Sequence, residues 1–283
     1  MTAKAQPGLH HNSVQDIIIP VAVIFRHYLI FRQFLQRAIA RRYRLSAFGL
    51  LWTVLVPLFT LAIYTLVFGV VLQSRWAGDA GSSDTSSFGL YLFSGLIVFW
   101  LMADVVGAAP SAIVEYTNLV KKAVFPLEVL PLIAVGSAVF HALISTAVLL
   151  AAILVFKGEI PGTAFYVPLI LFPFVLLLMG FGWLLSAIGV FFRDIQHIVG
   201  LLMTGVLFLS PIFYSIERLG PALKLVILLN PVTFIVTQMR AVLLDGASPN
   251  WLGLALYFGV AWLIASTGLA FFRYARKSFA DVL

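Results

Sequence analysis

The sequence predicts an all-α integral membrane protein: six transmembrane helices, an N-terminal amphipathic helix at the membrane interface and a re-entrant hairpin on the outer side. Three observations lead there. Residues 49–72, GLLWTVLVPLFTLAIYTLVFGVVL, carry no ionisable side chain and follow Arg41, Arg42, Tyr43 and Arg44. At ~1.5 Å per residue such a run spans the ~30 Å hydrocarbon core of a bilayer. Composition agrees: 62% of residues are hydrophobic and 10% charged, with a mean hydropathy of +1.06, against ~25% charged in a soluble domain. Finally, basic residues gather on one side of the apolar runs, as cytoplasmic loops require.

Taken in order, residues 1–15 are polar, contain His10 and His11, and read as a flexible tail. Two adjacent histidines alone do not make a metal site. No apolar stretch follows a basic start, so no cleavable signal peptide is expected. Residues 16–46 read as a cytoplasmic amphipathic helix. Ile24, Tyr28, Phe31, Leu35, Ala38 and Ile39 share one helical stripe, and Arg26, Arg37, Arg41 and Arg44 lie opposite. A helix of this pattern lies in the headgroup layer, its arginines toward anionic lipid or a partner.

The transmembrane domain follows over 47–273. Its apolar runs are 49–72, 88–114 (interrupted by Asp104), 129–156 (with His141), 164–192, 195–214 and 251–272. A seventh stretch, LVILLNPVTFIVTQMRAVLL, is broken by Asn230-Pro231 and carries Arg240. Proline lacks a donor and disfavours helix in the residue before it, so two short helices with a bend are expected. Charge decides whether this stretch crosses. If it does not, Lys4, Arg26, Arg32, Arg37, Arg41, Arg42, Arg44, Lys121, Lys122, Arg193, Arg273, Arg276 and Lys277 face the cytoplasm, 13 of the 18 basic residues. If it does, the last three move outside and the asymmetry nearly disappears. The expectation is therefore a re-entrant pair over 216–245, a cytoplasmic tail at 274–283, and both termini inside.

The chemistry-bearing residues are few. The chain has no cysteine, which removes disulfides and thiolate metal sites. Its net charge of +7 is topology charge flanking apolar spans, so nucleic acid is not an expected partner. GxxxxGK[ST], GxSxG, HExxH and paired His/carboxylate spacings do not occur; no catalytic residue, metal or resident cofactor is assigned. Inside the spans stand Asp104 and His141, either functional by their depth or hydrogen-bonded across a helix interface. The loop EYTNLVKKAVFPLEVLP is short, amphipathic and basic at Lys121-Lys122. In IGVFFRDIQHIV the Arg193-Asp194 pair is either an interfacial anchor or a docking point for a cytosolic protein. A six-span chain with no energy source of its own is expected to be driven from outside.

Four segments stand in matching order and topological position: RYRLSAFGLLWTVLVPLFTLAIYT (with Trp52 and Pro57), NLVKKAVFPLEVLP, IGVFFRDIQHIV followed by FLSPIFY, and LLNPVTFIVTQMRAVLLDG. Through them residues 20–283 resemble the permease subunits of ABC-2-type exporters, within them the branch that exports O-antigen, capsule or teichoic acid chains. The resemblance implies a homodimer in the bacterial cytoplasmic (inner) membrane, joined by two copies of a cytosolic ABC ATPase. Its cargo would be a polyprenyl-linked polysaccharide, O-antigen first among them. ATP and Mg would be bound by the partner and no cofactor by this chain. Asn118, Leu119, Lys121 and Lys122 would form a coupling helix in a cleft of the ATPase, with Arg193 and Asp194 as the second contact. The 17–44 segment would be the interface helix, and 217–244, with Glu217, Asn230, Pro231 and Arg240, the outer gate helices. Trp52, Tyr64, Phe68, Tyr91, Phe99, Trp100, Phe213 and Tyr214 would face the dimer axis and stack on sugars. Asp104 joins them as a candidate on the glycan path, although it maps onto no family motif. Lipid-facing packing or an interfacial belt is the competing reading of these aromatics. Two other functions stay open: an ABC-2 permease for drug or lipid cargo, against which the Arg26 to Arg44 helix argues, and a membrane-embedded enzyme of lipid-linked sugar metabolism.

Overall fold

The computed structural model describes residues 20–43, 48–71, 85–121, 125–216 and 219–283, with the side chains at 42–43, 50, 69–70 and 85–87 left aside. Expectations placed on the 1–15 tail, Arg44, Lys122 and Glu217 lie outside the described residues. Every regular element among the described residues is helical: α1 (Ala22–Arg26), α2 (Tyr28–Tyr43), α3 (Trp52–Tyr64), α4 (Thr85–Ala108), α5 (Thr117–Val120), α6 (Val129–Lys157), α7 (Val167–Phe191), α8 (Ile195–Phe208), α9 (Pro221–Leu229), α10 (Pro231–Leu243), α11 (Trp251–Ala275) and α12 (Phe279–Val282).

Four helical stretches, Phe88–Ser111, Val129–Lys157, Gly162–Phe191 and Trp251–Val282, are long and apolar enough to cross a membrane. The pair α9 and α10, bent by 90°, makes a fifth if counted as one span. Two of the apolar runs give shorter helices, Trp52–Phe68 and Ile195–Phe208. The reasons are local. The first run spends Gly49–Leu51 on a 3-10 turn and passes into a π-helical stretch at Thr65–Val71. The second stops at Phe208, three residues before Pro211, which has no N–H to extend the ladder. Fourteen residues reach only ~21 Å at helical rise, short of the hydrocarbon core.

Packing follows residue size and burial. The central helix is α4: Leu92, Phe93 and Val98 are fully buried, as an apolar-all-round helix must be. It lies against α6, α10, α3 and α7. The most extensive helix pair is α7 with α11, where Gly180 and Gly268 let the backbones touch. A Cβ on Gly268 would stand 2.5 Å from the carbonyl oxygen of Gly180, so only a small residue fits. The amphipathic helix α2 leans its predicted stripe on α6: Phe31 and Leu35 close over Gly136, where a Cβ would stand 2.9 Å from the tip of the Phe31 ring. Tyr28 of the same stripe stays exposed.

Helix direction defines two ends. The basic end gathers the ends of α2, α4, α7 and α11 with the starts of α6 and α8. At the opposite end the start of α4 meets the ends of α6 and α10, where Tyr91, Lys157 and residues 240–245 are in contact.

Candidate functional site

Toward the basic end, α2, α3, α4 and α6 enclose two adjoining cavities of about 400 and 410 Å³. Asp104 and Ala138 line both. The first opens at Arg41 and Glu115, which are paired at 3.3 Å. Ser111 donates to the other oxygen of Glu115 at 3.0 Å. The second is walled by Trp52 and Trp100 and carries His141, Thr60 and Ser145. The tertiary fold thus brings together Trp52, Trp100 and Asp104, and adds His141 of α6.

The remaining aromatics of the expected path lie elsewhere. Tyr64 and Phe68 are 6.0 Å apart between ring centroids, and Phe68 reaches Phe88 at 5.8 Å and Phe213 at 5.9 Å. Phe99 is buried in the same cluster. Tyr214 turns away, its hydroxyl donating to the Phe208 carbonyl at 2.8 Å. Tyr91 is tied to the far end: its hydroxyl donates to Asp245, and Lys157 stands 6.0 Å from its ring centroid. Trp100 packs against the Phe99 cluster as well, so it joins the cavity wall to the Tyr64, Phe68, Phe99 and Phe213 group, and Tyr91 stands apart.

A polar latch holds the opposite end. Asn230 caps α10, its Oδ1 accepting from the Val232 amide at 3.0 Å, with Pro231 at the first helical position where no donor is needed. The Asn230 amide nitrogen donates to the Leu209 carbonyl at 3.2 Å and to Ser210 Oγ at 2.9 Å. Ten residues on, Arg240 is 5% exposed. Its guanidinium donates to the carbonyls of Tyr91 (Nε, 3.0 Å), Pro211 (Nη1, 2.6 Å) and Ile212 (Nη2, 3.1 Å). A rigid fork of donors suits three carbonyl dipoles converging from two segments. Arg240 and Asn230 thus fasten the bent pair to the 209–212 chain, and Arg240 reaches on to α4.

The profile of the ABC-2 type transporter family matches residues 30–244. This chain belongs to that family. Among relatives of this ABC-2 transporter chain, the O-antigen export system permease protein RfbA of Myxococcus xanthus is 29% identical over 253 residues, covering 87% of this chain and 92% of the relative. An O-antigen export system permease protein RfbA of Klebsiella pneumoniae is 25% identical, covering 86% and 90%. The polysialic acid transport protein KpsM of Escherichia coli is 25% identical, covering 80% and 88%.

At the basic end of this ABC-2 transporter the surface residues stand as follows. Asn118 is exposed and Leu119 half-buried on the single turn α5, with Lys121 exposed directly after it. Arg193 and Asp194 are exposed at the start of α8. Arg26 and Arg37 are exposed, Arg37 standing 5.8 Å from the Phe34 ring. The sequence reading missed Glu128. Its carboxylate accepts from Arg276 at 2.7 Å and lies 3.7 Å from Arg273, while its backbone carbonyl accepts from the Trp183 indole at 2.9 Å. It therefore ties the entry of α6 to α7 and to the end of α11. Nearby His27 is held below the usual imidazole range, mainly by burial; Glu128 opposes that shift and Arg26 adds to it. The signal was present in FPLEVLP: a lone acid ahead of an apolar span complements the positive end of the helix dipole.

Proposed function

We propose that this chain is the channel-forming permease subunit of an ATP-driven exporter that carries a polyprenyl-linked polysaccharide, O-antigen first among the candidates, out across the bacterial cytoplasmic membrane. One observation carries the reading: relatives whose names state O-antigen export and polysialic acid transport match this chain over 80% to 87% of its length. The alignments thus run through both ends of the bundle and not through one shared hydrophobic run.

In this proposal α3 and α8 cross together with the four long helices, giving six crossings and both termini inside. The pair α9–α10 enters from outside and returns, so the Arg240 latch closes the outer end. The basic end faces the cytoplasm, and α5 with Lys121, together with Arg193-Asp194, meets two copies of a separate ATPase that binds ATP and Mg. The chain pairs with a second copy. Tyr64, Phe68 and Phe213 give the path flat apolar faces, which hold sugars without demanding one sugar order. Deleting the gene in its host is the test. Lipid-linked glycan accumulating in the cytoplasm, with its loss from the surface, is the expected result. An unchanged surface glycan would return the chain to ABC-2 permeases of other cargo.

A further inference from the structure

We infer that the basic end of α11 carries a headgroup site for an anionic phospholipid, phosphatidylglycerol, in a small pocket shared with α7. The inference rests on the proposed reading that α11 crosses the membrane with its basic end toward the cytoplasm.

Three features carry it. The first is a pocket of about 280 Å³ lined by Phe191, Phe271, Tyr274, Ala275, Lys277 and Ser278. Lys277 and Ser278 belong to the 3-10 turn Arg276–Ser278, and the chain is fixed on both sides of them. Before them, Arg276 donates to Glu128 at 2.7 Å. After them, Phe279 is fully buried, its ring 5.9 Å from Phe191 and 5.5 Å from Phe272. The backbone that carries the ammonium and the hydroxyl is thus held in place before any ligand arrives.

Charge is the second feature. Lys277 is the one charged residue in the lining, and among the described residues it makes no ion pair. Arg273 and Arg276 turn to Glu128 instead, at 3.7 and 2.7 Å. The other charges at this end, Arg193, Asp194 and Asp281, are exposed and stand outside the lining. A phosphate with net charge finds an ammonium and a hydroxyl donor here. A zwitterionic head would bring its own ammonium to a pocket whose lining has no carboxylate to receive it.

Continuity with the bilayer is the third. Val260, Leu263, Thr267, Phe271 and Tyr274 recur along α11 at three- and four-residue spacing, and all are exposed. They form one face of the helix, and Phe271 and Tyr274 belong to that face and to the pocket alike. The Thr267 hydroxyl donates back to the carbonyls of Leu263 and Ile264, at 2.9 and 3.1 Å, so its polarity is spent within the helix. Val260 to Phe271 covers ~16 Å at ~1.5 Å per residue, against ~15 Å for one leaflet of the hydrocarbon core. An acyl chain whose head sits in the pocket lies along this face. Tyr274 stands between the two, as amphipathic rings do at the headgroup level.

The test places the full-length chain in nanodiscs of phosphatidylglycerol and phosphatidylethanolamine in equal amounts. Each lipid in turn is doped with an analogue carrying a photoreactive diazirine at the head of one acyl chain, and adducts on residues 271–278 are counted by mass spectrometry. Phosphatidylglycerol should label roughly fivefold more than phosphatidylethanolamine, the worth of one basic residue at an anionic surface. Lys277→Gln should bring the two lipids near parity, and Lys277→Arg should keep the preference. Both variants change an exposed side chain and leave the fold intact. Equal labelling of the wild type, a preference for phosphatidylethanolamine, or a preference unchanged in Lys277→Gln would overturn the site. Orientation is read separately. Ala280→Cys in this cysteine-free chain should react with a membrane-impermeant maleimide only after the cells are permeabilised. Reaction in intact cells would overturn the cytoplasmic assignment alone, since the nanodisc preference does not depend on which leaflet holds the pocket.

Discussion

Replacing Arg240 with Met removes a guanidinium that is 5% exposed and keeps most of the side-chain volume. Three carbonyls lose a donor, but not equally. The Tyr91 carbonyl also accepts from Ser94 Oγ at 2.8 Å and lies within the α4 ladder, so it stays satisfied. The Pro211 and Ile212 carbonyls lie in non-helical chain, where no amide four residues on completes a turn. Each buried acceptor left without a donor costs about 1–3 kcal/mol. The loss is trimmed because a membrane chain in its unfolded state finds other partners, and because a costly buried cation is gone. The net expectation is a destabilisation of about 2–4 kcal/mol. Arg240→Lys should fall between, since an ammonium is one point and not a fork. Unfolding of the purified chain by SDS in mixed micelles, followed by tryptophan fluorescence, gives the difference in free energy. Hydrogen exchange should rise first at 209–214. A Met variant within about 0.5 kcal/mol of wild type, the size of an ordinary surface change, would refute the latch.

Three further outcomes follow from the same geometry. Gly268→Ala places a methyl 2.5 Å from the Gly180 carbonyl oxygen, a backbone atom that cannot swing aside, and should cost about 1–3 kcal/mol by the same unfolding assay; an unchanged midpoint would mean that α7 and α11 slide apart freely. Glu128→Gln should cost about 1–2 kcal/mol, since its carboxylate is mostly buried while Arg276 is partly exposed. High salt should remove most of that difference, and a loss untouched by salt would show the carboxylate to be serving packing alone. Burial holds the folded pKa of His27 below the ordinary imidazole value of 6.5 and so favours the neutral ring. Its contribution is complete above the unfolded pKa and is lost as pH falls through the folded one. Stability should therefore drop from pH 8 toward pH 5 more steeply in wild type than in His27→Asn, and parallel slopes would remove the histidine from the account.

What the sequence disclosed depended on range. The Asn230-Pro231 break announced two short helices with a bend, because capping and a missing donor act within three residues, and the structure has them at 90°. The long apolar runs became long helices for the same local reason. The Arg41, Glu115 and Asp104 juxtaposition was not legible, since three elements must pack before those side chains share a cavity. Nor was Arg240: along the chain it reads as one more outer-side cation, yet it is a buried donor to backbone carbonyls. The aromatics show the same limit. The resemblance turns eight rings toward the dimer axis, but which of them meet depends on how α3, α4 and the 209–214 chain cross.

The two ends of the bundle are held by forces of different kind, and this bears on how a chain driven from one side could move. The opposite end is fastened by a buried cation on carbonyl dipoles and by a capping amide, interactions little screened by salt and directional enough to fix one geometry. The basic end is joined by Arg41 on Glu115, with side chains 71% and 47% exposed, and by Arg276, 44% exposed, on the mostly buried Glu128. Water and salt make the first pair cheap to separate and re-form, and reach the second through its arginine. Glu128 stands eight residues after Val120 of α5 and contacts both α7 and the end of α11. In the proposed reading, a push at 117–121 would meet ion pairs whose cations stay in reach of water, while the latch, its guanidinium buried, resists until the helices themselves shift. For a chain driven from its basic end, as proposed, compliance there and stiffness at the far end is the ordering a stroke needs: the reverse would spend the displacement at the point of contact.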